Sequence, residues 1–179
     1  MDSRFTALNS LIMEENMDVF RGAVLIAATA ALGLNAGLFY GFSCSVMVSL
    51  RGVDDRTFVT VMQKINRDIQ NGWFFVSFIG SLLFTTLALV LFVGRSGSIL
   101  LPVGVGLAFY VLSMAITIRV NIPMNIRLDR ADPVQMGELT LRKAREGFEA
   151  PWFRANTGRA LASTGGFLAL CWALVQFSG

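Results

Sequence analysis

The side chains able to do chemistry are few and fall in three short clusters. Asn66, Asn71 and Trp73 form the first, Arg119, Asn121 and Asn125 the second, with Pro123 between its two amides, and Trp152, Asn156 and Arg159 the third. Amides, indoles and a guanidinium are hydrogen-bond donors and a fixed positive charge, the set that steadies negative charge developing on a ligand oxygen. The chain has no histidine, which excludes His-ligated haem, His-based zinc sites, Ser-His-Asp triads and imidazole proton shuttles. Proton transfer would fall to carboxylates, Lys, Tyr, a thiol, water or the substrate, and no metal-ligand set is expected.

Each cluster has a bland reading beside the functional one. Pro123 has no N–H and its ring collides with the carbonyl of Arg119, so a helix reaching it must kink or stop. On a helix that continues, Asn121 and Asn125 project from one side. Either they satisfy the freed carbonyls and cap helix ends, or they donate to a ligand oxygen. Asn156 and Arg159, three residues apart, also share a side. Arg159 either meets lipid phosphate at a membrane boundary or supplies a positive group to an enolate or phenolate. Trp73 and Trp152 suit an interfacial aromatic belt or a stacking surface for a flat ligand.

The elements that must position these residues follow from composition. Apolar residues make up 54% of the 179 and charged ones 15%, against roughly 45–50% (glycine included) and roughly 25% in soluble domains. Residues 22–50, 69–94, 96–118 and 160–179 carry no Asp, Glu, Lys or Arg. Each run can cross a bilayer, which takes about 20 apolar residues. The fold expected is all-α, an integral-membrane four-helix bundle in one domain, 1–179, with spans near 22–50, 70–94, 97–118 and 158–177. Residues 1–20 lack a signal peptide's basic start and small-residue cleavage site, so the first span is expected to be retained. A slight basic excess spread between spans excludes a nucleic-acid module; the partners expected are the lipid bilayer and a hydrophobic small molecule.

Lys and Arg mark cytoplasmic loops. Twelve lie in the 1–2 and 3–4 connections and three (Arg4, Arg21, Arg95) on the other side, which puts both termini outside and both long connections in the cytoplasm. A bacterial plasma membrane is the expected location. The connections read as amphipathic helices, about 54–69 and 133–149. In the first, Asp54 or Asp55 caps a stripe of Phe58, Val61, Met62, Ile65 and Ile69, with Gln63 on the polar face. The second opens on Asp132-Pro133. Gly33, Gly37 and Gly41 form a small-residue seam on span one, for packing inside the bundle or against a second copy. Asn35 lies in that seam, and Ser43, Ser45 and Ser49 make the inner half polar. Cys44 and Cys171 fall near opposite membrane faces, as unpaired, buried small residues.

On these residues the chain resembles the DUF1772, anthrone-oxygenase-like family of small membrane proteins. The likeness rests on AGLFYGFSCSVMVSL (36–50), DDRTFVTVMQKINRDIQNGWF (54–74), NIPMNIRL (121–128) and Asn156-x-x-Arg159. Asn-x-Pro-x-Asn is the most specific part. Where the family commonly has proline after Asn71, this chain has Gly72, which loosens the start of span two. The resemblance implies cofactor-independent oxidation of a polycyclic anthrone by molecular oxygen. Asn121, Asn125, Asn156 and Arg159 are then donors to the enolate oxygen, and Trp73 is a stacking surface, with Asn66, Asn71 and Trp152 beside the substrate. The alternative is a non-catalytic membrane protein that binds a quinone or lipid or assists a membrane partner.

Overall fold

A computed structural model of the protein describes residues 3–95 and 97–178, and everything regular among them is helical. Helix α1 (Ser3–Gly41) runs through a π-helical turn (Phe42–Val46) into α2 (Met47–Leu50). After α3 (Asp55–Asp68) come α4 (Gly72–Phe92), α5 (Gly97–Ile116), a second π-helical turn (Thr117–Asn121), α6 (Ile122–Asp129) and α7 (Glu138–Ser178). Four segments are long and apolar enough to cross a membrane: Leu8–Leu50, Gly72–Phe92, Gly97–Asp129 and Glu138–Ser178.

Three boundaries differ from expectation, each for a local reason. Span one starts well before residue 22, and residues 8–17 extend the helix as an exposed stretch. Span three passes Pro123 instead of ending near 118. The π turn carries one extra residue per turn, so the N–H of Ile122 bonds Thr117 O and Pro123 takes the second position of α6, where its missing donor costs little. Span four is not preceded by a separate helix starting at Pro133. Asp132 Oδ1 accepts from the N–H groups of Val134 (2.9 Å) and Gln135 (3.1 Å), closing a turn. α7 then starts at Glu138 and continues to Ser178 despite Pro151, which deletes a single intrahelical bond.

Capping residues fix the other ends. Asp54 Oδ1 accepts from Thr57 N at 2.9 Å to start α3, and Asn71 Oδ1 accepts from Phe74 N at 3.1 Å to start α4. Past the end of α4, Gly94 takes φ +80°, a left-handed conformation that glycine adopts without Cβ strain, and the chain turns back into α5.

The bundle's surface is apolar, and its buried polar side chains sit among apolar ones, the arrangement a lipid environment selects. Leu83, Leu101, Leu161 and Leu168 are exposed, whereas Asn35, Ser81, Thr85, Ser113, Asn156 and Ser163 are buried. Asn35 Nδ2 donates to Ala31 O, Ser77 O and Ser81 Oγ at 2.9–3.1 Å, stitching α1 to α4. Tyr110 OH donates to Phe78 O and ties α5 to α4. Of the glycine seam, Gly33 packs inward, since a Cβ there would meet the Phe167 ring at 2.9 Å, while Gly37 and Gly41 have nothing within 4 Å. Cys44 is exposed and Cys171 half-buried, both unpaired, so neither is the buried small residue expected. A helix face that turns toward lipid in the Gly37–Gly41 region leaves Cys44 outside.

Two apolar clusters divide the length of the bundle. Val24, Leu25, Leu32, Phe92, Val103 and Leu170 pack near the termini. At the other end α3 covers the helix ends, burying Phe58, Val59 and Met62 against Leu128, Leu141, Phe148 and Trp152. Gln63, expected on the polar face, is buried there and donates to Leu128 O (2.9 Å) and Ala131 O (2.7 Å), carbonyls at and just past the end of α6. Arg145 anchors the chain between α2 and α3 through Leu50 O, Arg51 O and Val53 O, with its guanidinium 4.6 Å over the Phe58 ring.

Candidate functional site

Between the two apolar clusters, α7 crosses both π turns. Local sequence explains its polar side: Trp152, Asn156, Arg159 and Ser163 recur at three- and four-residue spacing and so line one face of a helix. All four are buried.

Arg159 is 8% exposed and forms no ion pair among the described residues. Asn156 Oδ1 accepts from its Nε at 3.0 Å and its Nη2 at 2.8 Å. Its Cζ lies 4.1 Å from the Phe39 ring centroid and 5.4 Å from that of Trp152, so aromatic faces stand where a carboxylate would usually be. Nη1 donates no hydrogen bond among the described residues. A buried cation without a counterion is costly to keep; here an amide oxygen and two π faces offset part of that cost and leave one N–H edge unused.

Asn156 ties this cation to span one. Its Nδ2 donates to Phe39 O at 2.9 Å and to Ser43 Oγ at 2.7 Å. Phe39 O precedes the π turn that begins at Phe42 and Ser43 lies within it, so the Asn156 amide bridges the start of that turn. The first π turn thus finds partners on α7, through Ser43.

The second π turn does not. Asn121, its last residue, is 1% exposed, and neither Nδ2 nor Oδ1 has a hydrogen-bond partner among the described residues. Its level follows from the bonds on either side. Ser113 Oγ meets Ser163 Oγ at 2.8 Å, and Trp152 Nε1 donates to Asn125 Oδ1 at 2.8 Å. Asn121 lies between these bridges along the third span, opposite the turn of α7 that carries Asn156. A fully buried amide with both ends idle costs several kcal/mol in desolvation unless something answers it, roughly 1–3 kcal/mol for each idle group.

Of the residues singled out from sequence, Asn121, Asn125, Trp152, Asn156 and Arg159 therefore gather at one level of the bundle. Asn66, Asn71 and Trp73 do not join them. Asn71 is exposed and caps α4, Trp73 is 89% exposed on the outer surface, and Asn66 is half-buried on α3 with its Nδ2 unpartnered. Sequence reasoning missed Phe39 and the Ser113–Ser163 bridge. The four-residue spacing of Ser113, Thr117 and Asn121 would have shown a continuous polar stripe on span three, but nothing in the sequence distinguishes Phe39 from the fourteen other phenylalanines.

Four apolar spans enclosing a buried cation held by one amide and two aromatic rings define a helical membrane protein with an internal polar site. The chain belongs to the anthrone oxygenase family, whose model matches residues 73–169, more than half its length. That stretch contains Asn121, Asn125, Trp152, Asn156 and Arg159, and leaves out the Phe39–Ser43 segment to which Asn156 bonds. No curated protein and no solved structure matches the chain.

Proposed function

We propose that the protein is a membrane-embedded oxygenase-like enzyme that acts, without a cofactor, on an anthrone-type polycyclic aromatic with molecular oxygen. The observation that carries this reading is the pairing of a buried, uncompensated Arg159 with an idle Asn121 amide at the same level of the bundle. An enolate or phenolate oxygen would answer both, neutralising the cation and accepting from Asn121 Nδ2. Stabilising that anion favours loss of a proton from the anthrone methylene, and the electron-rich carbanion then reduces oxygen directly. The net reaction balances: anthrone plus O2 gives anthraquinone plus water, with the methylene carbon oxidised to a carbonyl and one oxygen atom leaving as water. Asn156 holds the guanidinium in place, and Phe39 and Trp152 offer flat apolar walls.

A second reading has its own support. No carboxylate pairs with Arg159 among the described residues, and the same absence that favours an anionic ligand leaves no evident proton acceptor. A protein that binds a quinone or phenolic ligand without turnover fits this equally. Purified protein mixed with an anthrone and oxygen decides between them through oxygen uptake and quinone absorbance, compared for wild type, Asn121→Ala and Arg159→Ala. Turnover that falls in both variants supports the enzyme; tight binding without turnover supports the alternative. For location we propose a bacterial plasma membrane, and the excess of Lys and Arg in the two long connections supports both termini lying outside. Cysteines placed at 130–145 and labelled from outside intact cells would overturn that orientation.

A further inference from the structure

Between the end of α2 and the first half of α7 lies a groove of about 370 Å³. Met47 and Phe153 form its apolar side, and its charges are sorted along its length. Arg51 lies with its guanidinium 5.1 Å over the Phe153 ring, which brings it beside Arg154. Both cations are exposed, and neither has an ion pair among the described residues. Further toward the start of α7 the same groove is lined by Glu146 and Glu149. Arg142 holds Glu146 through Oε1 at 2.9 Å and Arg145 holds Glu149 through Oε2 at 2.6 Å, so each carboxylate keeps one oxygen without a partner among the described residues.

The groove sits at the edge of the apolar band. Arg51 directly follows the charge-free run 22–50, and Arg154 precedes the run 160–179 by less than two helical turns. Trp73, 89% exposed at the start of α4, suits the same boundary. Leu161 and Leu168, seven and fourteen residues past Arg154, continue its face of α7 into the apolar band and are exposed. Along α7 the order is therefore apolar surface, then cations, then acids. From Arg154 back to Glu149 is five residues, about 7.5 Å of helix, a gap that the side chains narrow by leaning toward each other.

We propose that this groove seats the headgroup of an aminophospholipid, a phosphate followed by a primary ammonium as in phosphatidylethanolamine. Arg51 and Arg154 take the phosphate, and the free oxygens of Glu146 and Glu149 take the ammonium. A lipid standing in the bilayer presents its groups in that sequence, acyl chains over Leu161 and Leu168, phosphate at the boundary, amine outermost. A trimethylated amine has no N–H to give the carboxylates. An anionic headgroup without an amine would satisfy the guanidiniums and leave the carboxylate oxygens facing it unanswered. The site is separate from the Arg159 guanidinium and stands whether or not that buried site turns over a substrate.

The test titrates lipids of identical acyl chains onto full-length protein in detergent and counts bound copies by native mass spectrometry. Phosphatidylethanolamine should bind about tenfold more tightly than phosphatidylcholine, because its amine donates charge-assisted hydrogen bonds that a quaternary amine cannot. The N-monomethyl and N,N-dimethyl analogues should fall between the two in order, a series that needs no substitution in the protein. Arg51→Gln with Arg154→Gln should weaken both lipids about tenfold, and Glu146→Gln with Glu149→Gln should bring the two within about twofold of each other by weakening phosphatidylethanolamine alone. Equal binding of phosphatidylethanolamine and phosphatidylcholine by the wild type overturns the proposal. So does a tighter hold on phosphatidylglycerol than on phosphatidylethanolamine, which would make the groove a site for anionic lipid, and so does a preference that survives both pairs of substitutions.

Discussion

The two ends of the bundle are built by different rules. Toward the termini, α5 and α7 approach so closely that a Cβ on Gly166 would lie 3.0 Å from Gly106 O and 3.0 Å from Leu32 Cδ2. Contact there is backbone against backbone with apolar side chains filling the remainder, the way helices associate when lipid removes the hydrophobic driving force. Toward the long connections the helices are held by side-chain amides, two π turns and a buried cation, and a polar side chain is left idle. Close packing has one best arrangement and leaves little to bond there, Thr85 Oγ1 being one idle atom. The polar end keeps unused hydrogen-bonding capacity at Asn121 and Arg159 at the expense of stability, which is what a site for a polar ligand requires.

The sharpest way to break this contrast is at the glycines. Gly166→Leu should cost about 3 kcal/mol or more, because its obstacle is a carbonyl oxygen of the facing backbone that cannot rotate aside. Gly37→Leu, with open space around it, should stay within about 0.5 kcal/mol of wild type. Thermal unfolding in detergent reads both. Equal melting temperatures for the two variants would mean that the tight crossing contributes nothing.

At the polar end the expected effect is on function. Arg159→Gln should lower anthrone turnover about 10²- to 10³-fold, the range found when a charge-stabilising donor is removed. Its melting temperature should hold or rise, since a buried uncompensated charge has been taken out. A variant that melts early and keeps its turnover would make Arg159 a structural residue. The two asparagines sharpen the point. Asn156→Leu strands Phe39 O, Ser43 Oγ and the guanidinium and should cost about 1–3 kcal/mol. Asn121→Leu removes groups that bond nothing among the described residues, so it should be neutral or stabilising while weakening ligand binding. Equal losses of stability would erase the distinction between the satisfied π turn and the open one.

How much of this was legible depended on whether local spacing survives folding. Asn156 and Arg159 share a side on any helix, and they do bond each other. Asn121 and Asn125 share a side only on a regular helix. The α-helix resumes at Ile122, so they do share it, with Asn125 bonded to the Trp152 indole and Asn121 buried one turn away, while the π turn between Thr117 and Asn121 rotates both relative to Ser113 and Thr117. π turns arise from how a long helix settles among its neighbours and leave no simple mark in sequence, although Pro123 was a reason to expect some irregularity. Asn71 was legible as a cap, because an acceptor three residues before Phe74 at the start of an apolar run is the sequence form of a helix start; placing it beside substrate read chemistry into a structural residue. Charge-free stretches gave the number of spans but not their ends. Helices extend into charged sequence at Ser3–Arg21 and Glu138–Arg159 wherever nothing stops them.

The smallest expected effect tests whether the cap at the connection end matters to the bundle it covers. Asp54 accepts from both the hydroxyl and the N–H of Thr57, which holds its carboxyl below the ordinary value of 3.8. A group that ionises more readily when folded stabilises the folded state above its ordinary pKa, and that contribution disappears as pH falls through the lower folded value. Wild type should therefore lose melting temperature more steeply below about pH 4 than Asp54→Asn, whose amide caps comparably without titrating. Because Asp54 is fully exposed, solvent screening keeps the difference small. α3 is the lid of the polar end, through Phe58, Val59 and Met62, so a melting difference that grows on acidification would show that the lid and the helices beneath it unfold together. Parallel curves for the two proteins would mean that α3 can fray from Asp54 onward without loosening the site it covers.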